Sequence, residues 1–337
     1  MKRIVITGGG TGGHLSIARA LREELNRRGI KPIFIGSQNG QDRAWFGEDE
    51  GFAQKYFFDI RSVVDKKFVG KIGSMAAILR SARQCMQIFR NEQVDTIFSV
   101  GGYAAAPATI AAILQRKRYF IHEQNAVMGR LNALFARYAD AVFSPFSENP
   151  ALRAYPISSV FFENARLRTR IETIIFLGGS QGASAINAFA KQVAPLLQNR
   201  GIRIIHQSGS REYETLKRFY EEKGIDVDLF AFDKKLYRKI ASADFAICRA
   251  GASTLWELAA SQLPALYVPY PHAAGDHQYH NARFLAERNL SFVVRQERLH
   301  PDLMQMIFDA DIVAMSEGLK GIVAPDAAAK IVDFMGY

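Results

Sequence analysis

Cysteine is scarce in this chain, with 2 among 337 residues, Cys85 and Cys248. Two thiols cannot build a disulfide framework or a cysteine-based zinc site, so the sequence fits a reducing compartment. Long apolar runs are missing as well. A membrane-spanning helix needs about 18 or more consecutive apolar residues. The nearest stretch, Ala104 to Leu114, is mostly alanine and contains Pro107. The opening MKRIVITGGG has a short apolar core that runs into glycines, which reads as a buried first strand and not as a secretory signal. Low-complexity linkers and short-period repeats are absent, and 48% apolar with 23% charged residues excludes global disorder and coiled coil.

Carboxylates are outnumbered, 33 against 43 cations, for a net charge of +10. The imbalance is local. Residues 1–150 hold 21 Lys and Arg against 13 Asp and Glu, a net of +8, which leaves the remainder at +2. Such a balance suggests an anionic partner, whether nucleic acid, anionic lipid or a phosphorylated substrate, for the first half of the chain.

What is present is a rhythm. β-Branched and aromatic runs at Arg3–Thr7, Pro32–Gly36, Thr96–Val100, Tyr119–His122 and Ala141–Pro145 alternate with helical patterns such as Leu15–Arg28 and Ile72–Glu92. The rhythm restarts at Glu172–Leu177 and continues through Arg203–Gln207, Asp228–Phe232, Phe245–Cys248, Ala265–Pro269 and Phe292–Val294. This is the pattern of parallel, doubly wound sheets. At about 100–200 residues per domain the length suits two domains. We place them at 1–164 and 165–321, with a terminal helix in about 322–337 that packs back on the first. Each half opens alike, with an apolar strand, a glycine cluster and a helix: IVITGGGTGGH at 4–14 and IIFLGGSQGA at 174–183.

Gly8, Gly10 and Gly13 fit G-x-G-x-x-G between strand and helix. A dinucleotide site also wants an acidic residue at the end of the second strand, yet that strand ends in Ser37-Gln38-Asn39 and no carboxylate follows until Asp42. A nicotinamide-dependent oxidoreductase is thereby weakened, and a bare turn without ligand is the plain alternative. Thr11, Gly12 and Gly13 lie where backbone N–H groups and a positive helix end favour an anion, and Ser180, Gln181 and Gly182 do the same in the second half. His14, at the start of the first helix, should be held neutral there and is a candidate general base for an acceptor hydroxyl; the bland role is a cap on its own helix. Ser253 and Thr254 follow a glycine and offer donors to a phosphate. Asp226-Val227-Asp228 is an Asp-x-Asp string placed where a strand enters, so no metal site is expected there.

GGGTGGH at 8–14, GGYAAAPA at 101–108, HEQNAVMG at 122–129, GGSQGA at 178–183, RAGASTLWELA at 249–259, LPALYVPYPH at 263–272 and HQYHNA at 277–282 occur in that order. Together they resemble the family of UDP-GlcNAc:lipid I N-acetylglucosaminyltransferases of peptidoglycan synthesis. The resemblance implies the α/β GT-B architecture, two Rossmann-like domains facing across a cleft, and inverting transfer of GlcNAc to the MurNAc 4-hydroxyl of lipid I, giving lipid II without a cofactor. It implies roles for His14 and Asn125 in catalysis, Asn125 touching donor sugar or acceptor, while Glu123 reads equally as a buried structural carboxylate. It implies ribose binding by Glu257, backbone recognition of uracil near Phe232, hydroxyl recognition by Gln278 and Asn281, and an arginine, Arg166 or Arg168, near the diphosphate. The chain differs from the family pattern at His277, at Ile17 and across Asn164–Arg168. Other readings carried forward are a UDP-GlcNAc 2-epimerase, another GT-B nucleotide-sugar enzyme and a non-catalytic nucleotide-sugar-binding scaffold.

Lys66, Lys67, Lys71, Arg80, Arg83 and Arg90 cluster with Phe68, Val69, Ile72, Met75, Ile78 and Leu79. A basic amphipathic stretch suits an anionic phospholipid surface, and an ordinary surface helix would look the same. With a lipid-linked acceptor, the expectation is a peripheral protein on the cytoplasmic face of the inner membrane, with no nucleic-acid partner. Partners among other cell-wall synthesis or division proteins stay open.

Overall fold

The computed structural model describes residues 3–60, 68–179 and 182–337, with side chains for all of these except 68–72. The chain divides into two compact units, Met1–Ser158 with Ala324–Tyr337, and Ser159–Val323. In the first, β1 (Arg3–Thr7), β2 (Ile33–Ser37), β3 (Gln54–Phe58), β4 (Val94–Ser99), β5 (Arg118–His122) and β6 (Ala141–Phe143) pair in parallel in the order β3-β2-β1-β4-β5-β6. In the second, β7 (Thr173–Leu177), β8 (Arg203–Gln207), β9 (Asp228–Phe230), β10 (Phe245–Cys248), β11 (Ala265–Tyr267) and β12 (Phe292–Val293) take the order β12-β11-β10-β7-β8-β9, again all parallel. Counted from its own first strand, each sheet runs 3-2-1-4-5-6. The winding reverses beside β1 and beside β7, and in open α/β sheets a ligand crevice opens at the carboxyl ends there.

The central strands form because helices cover both of their faces, so nearly every position can be apolar. Val5, Ile33, Ile35, Ile97 and Ile121 pack against Cys85 and Phe89 of the Phe68–Asn91 helix and against Ala108, Ala111 and Ala112 of the Ala106–Leu114 helix. The alanine-rich stretch is therefore a core helix whose small residues admit a close neighbour. In the second unit Ile174, Phe176, Ile204, Phe245, Ile247 and Leu266 meet Ile186, Phe189, Ala190, Val193 and Leu197 of the Ser184–Asn199 helix. β3 is the strand that sequence patterning misses. It lies at the sheet edge and its residues are half-buried or exposed, so its apolar signal is weak.

The last helix, Ala327–Phe334, belongs to the first unit and packs on the Gly12–Arg27 helix. Arg28 holds it. The guanidinium donates to Glu24 at 2.7 Å, to Asp333 at 2.5 Å and to the Tyr337 carbonyl at 2.9 Å. The Tyr337 hydroxyl donates to Asp95 at 2.7 Å, and Phe334 sits edge-on to Phe143 at 5.3 Å.

The two compact units divide between Ser158 and Ser159. The Ser159–Glu163 helix packs on the Leu236–Ser242 and Ala252–Ala260 helices, and the Ser261 hydroxyl donates to the Phe161 carbonyl at 3.4 Å. The two arginines that follow are also structural. Arg166 donates to Asp244 at 2.5 Å and to the carbonyls of Ala241 and Ala243 at 2.9 and 3.0 Å. Arg168 is fully buried and donates to the carbonyls of Ala243 at 3.1 Å, Arg166 at 2.6 Å, Ile240 at 3.2 Å and Ser261. Asp244 also accepts the N–H groups of Glu172 and Thr173, which open β7. Both arginines thus sit at the amino edge of the second sheet, a strand's length from the carboxyl-edge loops. Against the expectation of a diphosphate contact by Arg166, the structure shows its Nε and Nη2 engaged with a helix end and a buried carboxylate. Arg168→Ala should leave several buried carbonyls without a donor and lower stability by about 3–5 kcal/mol, read from urea unfolding.

Candidate active site

In the first unit the loop after β1 and the turn after β4 close on each other through backbone. Gly8 has φ +117°, and a Cβ there would stand 2.3 Å from the Gly101 carbonyl oxygen. Gly102 has φ +79°, and a Cβ there would stand 2.3 Å from the Gly9 oxygen. Only glycine allows this approach, which explains why GGGTGGH and GGY occur together. Asp42, fully buried, completes the loop by accepting the Gly10 N–H at 2.6 Å and the Ser37 N–H at 2.7 Å. In the sequence Asp42 figured only as the first carboxylate after the second strand, too late to favour a dinucleotide site. The structure uses both of its oxygens to tie the loop to the end of β2. Burial raises its carboxyl above the ordinary range, partly offset by those two amides.

Thr11 enters the Gly12–Arg27 helix with extended backbone, so the helix N-terminus carries amides without intrahelical partners beside Gly12 and Gly13. His14 lies in the first turn, its Nδ1 2.8 Å from the Thr11 hydroxyl. Its Nε2 edge rests on Gly101, 3.3 Å from where a Cβ would be. If Nδ1 donates to Thr11, Nε2 carries the lone pair that a general base requires.

The loop after β5 is organised by Glu123. It is buried and accepts the N–H groups of Asn125 at 3.0 Å and Gly129 at 2.9 Å, and the Asn132 amide at 2.8 Å. Of the two roles weighed for it, the geometry matches the structural carboxylate, and it sets Asn125 at the carboxyl edge of the sheet. His122 is fully buried, 3.1 Å from the Ala154 carbonyl and edge-on to Tyr155.

In the second unit, two helices begin side by side at the carboxyl ends of the adjacent strands β7 and β10. These are Ser184–Asn199, after the Gly178–Ala183 loop, and Ala252–Ala260, after Gly251. Ser180 and Gln181 lie outside the described residues. Gly182 is described: its N–H donates to the Gly179 carbonyl at 3.0 Å. Ser253 and Thr254 stand half-buried in the first turn of the Ala252–Ala260 helix, and Glu257 half-buried one turn on. Phe232 is 58% exposed just past β9. Gln278 is held by the Tyr270 N–H, which donates to its Oε1 at 2.9 Å. Asn281 departs from expectation. It is fully buried, with its amide donating to the Ala250 carbonyl at 3.4 Å, a bond that braces the turn before the Ala252–Ala260 helix. Asp228 pairs with Lys239, and among the described residues no group of three or more His, Cys, Asp and Glu is placed to hold a metal.

Family models for the glycosyltransferase family 28 N-terminal domain and C-terminal domain match residues 4–144 and 173–311. The chain belongs to glycosyltransferase family 28. A UDP-N-acetylglucosamine--N-acetylmuramyl-(pentapeptide) pyrophosphoryl-undecaprenol N-acetylglucosamine transferase of Wolinella succinogenes is 48% identical over 332 residues, 98% of this chain and 99% of that protein. A protein of the same name from Campylobacter fetus is 45% identical over 98% of both chains. The crystal structure of Acinetobacter baumannii MurG matches with a TM-score of 0.79 at 26% identity over 99% of each chain. Together with the paired sheets this gives the chain the two-domain GT-B architecture. A UDP-GlcNAc 2-epimerase from Neisseria meningitidis matches with a TM-score of 0.64 at 11% identity, a likeness of fold alone.

Buried histidines set an acid limit on this family 28 chain. Burial pushes His122 down to about 4 and His206, enclosed by Tyr220 and Asn187, down to about 3. Both fold neutral, whereas unfolded histidines take up protons near pH 6.5. A lowered folded-state value means full stability above about pH 6.5 and loss as pH falls from there toward 4. Each histidine contributes a slope of up to about 1.4 kcal/mol per pH unit, while the raised carboxyl of Asp42 acts in the opposite sense at the acid end. Urea unfolding at pH 7, 6 and 5 should show this fall, and a flat profile would count against it.

Proposed function

We propose that the protein transfers GlcNAc from UDP-GlcNAc to the 4-hydroxyl of MurNAc in lipid I, with inversion, to form lipid II for peptidoglycan. The observation that carries this is the 48% identity to a transferase of that name across nearly the whole of both chains. The reaction needs an acceptor proton removed, the bond from sugar C1 to the diphosphate broken, and the leaving charge stabilised. His14, oriented by Thr11, takes the acceptor proton at Nε2 as the oxygen attacks C1. Asn125 holds the reacting hydroxyl or the sugar beside it. The leaving diphosphate is stabilised by the second unit's helix N-termini, where Gly182, Ser253 and Thr254 supply backbone and hydroxyl donors, and we assign Ser180 and Gln181 the same role from the sequence. Glu257 accepts from the ribose hydroxyls, Phe232 lies by the uracil, and Gln278 contacts the sugar. Glu257→Ala should raise the KM for UDP-GlcNAc on the order of 5- to 150-fold, as expected for loss of about 1–3 kcal/mol of hydrogen bonding. No GlcNAc transfer by the intact, donor-binding protein to a lipid I analogue would overturn the reading.

The basic first unit is the part we place against anionic phospholipid, as a peripheral protein on the cytoplasmic face of the membrane. The Phe68–Asn91 helix exposes Met75 and Leu79 at 50% each, one turn apart, and continues that face with exposed Arg80 and Arg83. Lys66 and Lys67 lie outside the described residues, as do the side chains of Phe68, Val69, Lys71 and Ile72. Among the described residues no helix is long and apolar enough to cross a membrane. Reversing Arg80 and Arg83 to glutamate should weaken binding to anionic liposomes, most at low salt, and leave the KM for UDP-GlcNAc unchanged. Retention of liposome binding would remove this face from the proposal.

A further inference from the structure

One peptide unit at the carboxyl edge of the second sheet is gripped at both of its ends. Just past β11, the carbonyl of Pro269 accepts from Arg249 Nη1 at 3.2 Å, and the neighbouring Val268 carbonyl accepts from the same nitrogen at 3.2 Å. The N–H of that same unit belongs to Tyr270 and donates to Gln278 Oε1 at 2.9 Å. Arg249 is held in turn by Gln296, whose Oε1 accepts from Nη2 at 2.7 Å. The guanidinium also lies 5.6 Å from the Tyr270 ring centroid. A cation on the carbonyl oxygen polarises the peptide and strengthens its N–H as a donor, so the two grips reinforce each other.

We propose that Gln296 and Arg249 are positioning residues for donor-sugar recognition, fixing the Pro269–Tyr270 peptide so that Gln278 turns its oxygen inward and presents only its NH₂ to the sugar. The amide orientation follows from the network, because the reverse would set two donors face to face. The group that meets Gln278 must then be an acceptor, such as a sugar hydroxyl oxygen. Arg249 lies at the carboxyl end of β10, where a cation invites assignment to the diphosphate. The geometry gives it another task, since both terminal nitrogens already serve protein oxygens. The inference rests on the sugar-nucleotide reading above and adds how sugar and nucleotide are recognised by separable parts of the second unit.

The test compares UDP-GlcNAc with UDP in calorimetric titrations of the full chain. Gln296→Ala should lower affinity for UDP-GlcNAc on the order of 10-fold while UDP affinity changes by less than about twofold, a loss sized as one hydrogen bond to a charged group. Gln296→Glu keeps an acceptor for Arg249 and should restore the wild-type ratio. Gln278→Glu still accepts from Tyr270 but has no NH₂ to present, and should lose UDP-GlcNAc relative to UDP even though the peptide is held. In a transfer assay Gln296→Ala should raise the KM for UDP-GlcNAc more than it lowers kcat. If Gln296→Ala weakens both ligands equally, Arg249 serves the nucleotide and the inference is wrong; if it weakens neither, the grip is irrelevant. A wild-type protein that binds UDP-GlcNAc without transferring it would sink the proposed reaction, and the binding ratios would still decide this inference.

Discussion

Backbone packed directly on backbone is the constraint from which the first unit's site follows. The contact of the 8–10 loop with the 101–102 turn leaves no volume for a Cβ at Gly8 or Gly102. Once the two loops are closed, the direction of the chain into the Gly12–Arg27 helix is set, and with it the place of Thr11 and His14. His14 then lies over Gly101 because the same turn has no side chain to displace it. The glycines therefore act twice, in forming the turn and in opening the space that the imidazole occupies.

The second unit reaches a comparable rigidity by different chemistry. Its sheet has the same strand order, but its carboxyl-edge loops are held by side chains gripping main chain. Asn187 donates to the Ser208 carbonyl at 3.1 Å while His206 braces Asn187, and Arg249 grips two carbonyls past β11. The amino edge of this unit is stapled by Arg166, Arg168 and Asp244, so that edge is given to architecture. Two distinct edges are what parallel sheets with helices on both faces produce, since all strands deliver their exits to one edge.

Most strands and the long helices were legible because β-branched and aromatic clusters alternate with helical spacing, and both glycine loops follow such a cluster. Gln54–Phe58 was not legible, since a half-exposed edge strand carries little pattern. The helix starts that follow the glycine loops could be placed from strand, glycine and helix in succession. The hydrogen bonds of Asp42, Arg166, Arg168 and Asn281 could not, because each depends on which backbone groups are brought within reach by distant segments, whereas Glu123 could be read as a buried structural carboxylate. Arg166 and Arg168 were tied to an expected motif whose register the chain does not keep. Arg249 and Gln296 lie 47 residues apart, and their pairing is a product of β10 and β12 flanking β11.

Asp42 carries a consequence for how this fold can diverge. In dinucleotide-using relatives of the architecture, an acid near the end of the second strand is available to hold a ribose. Here the nearest acid has been conscripted as an anchor, its two oxygens taken by the Gly10 and Ser37 amides. A descendant cannot recruit it for a new ligand without first inventing another fastening for the loop. The first unit is in this sense locked out of an evolutionary route that its topology would otherwise leave open.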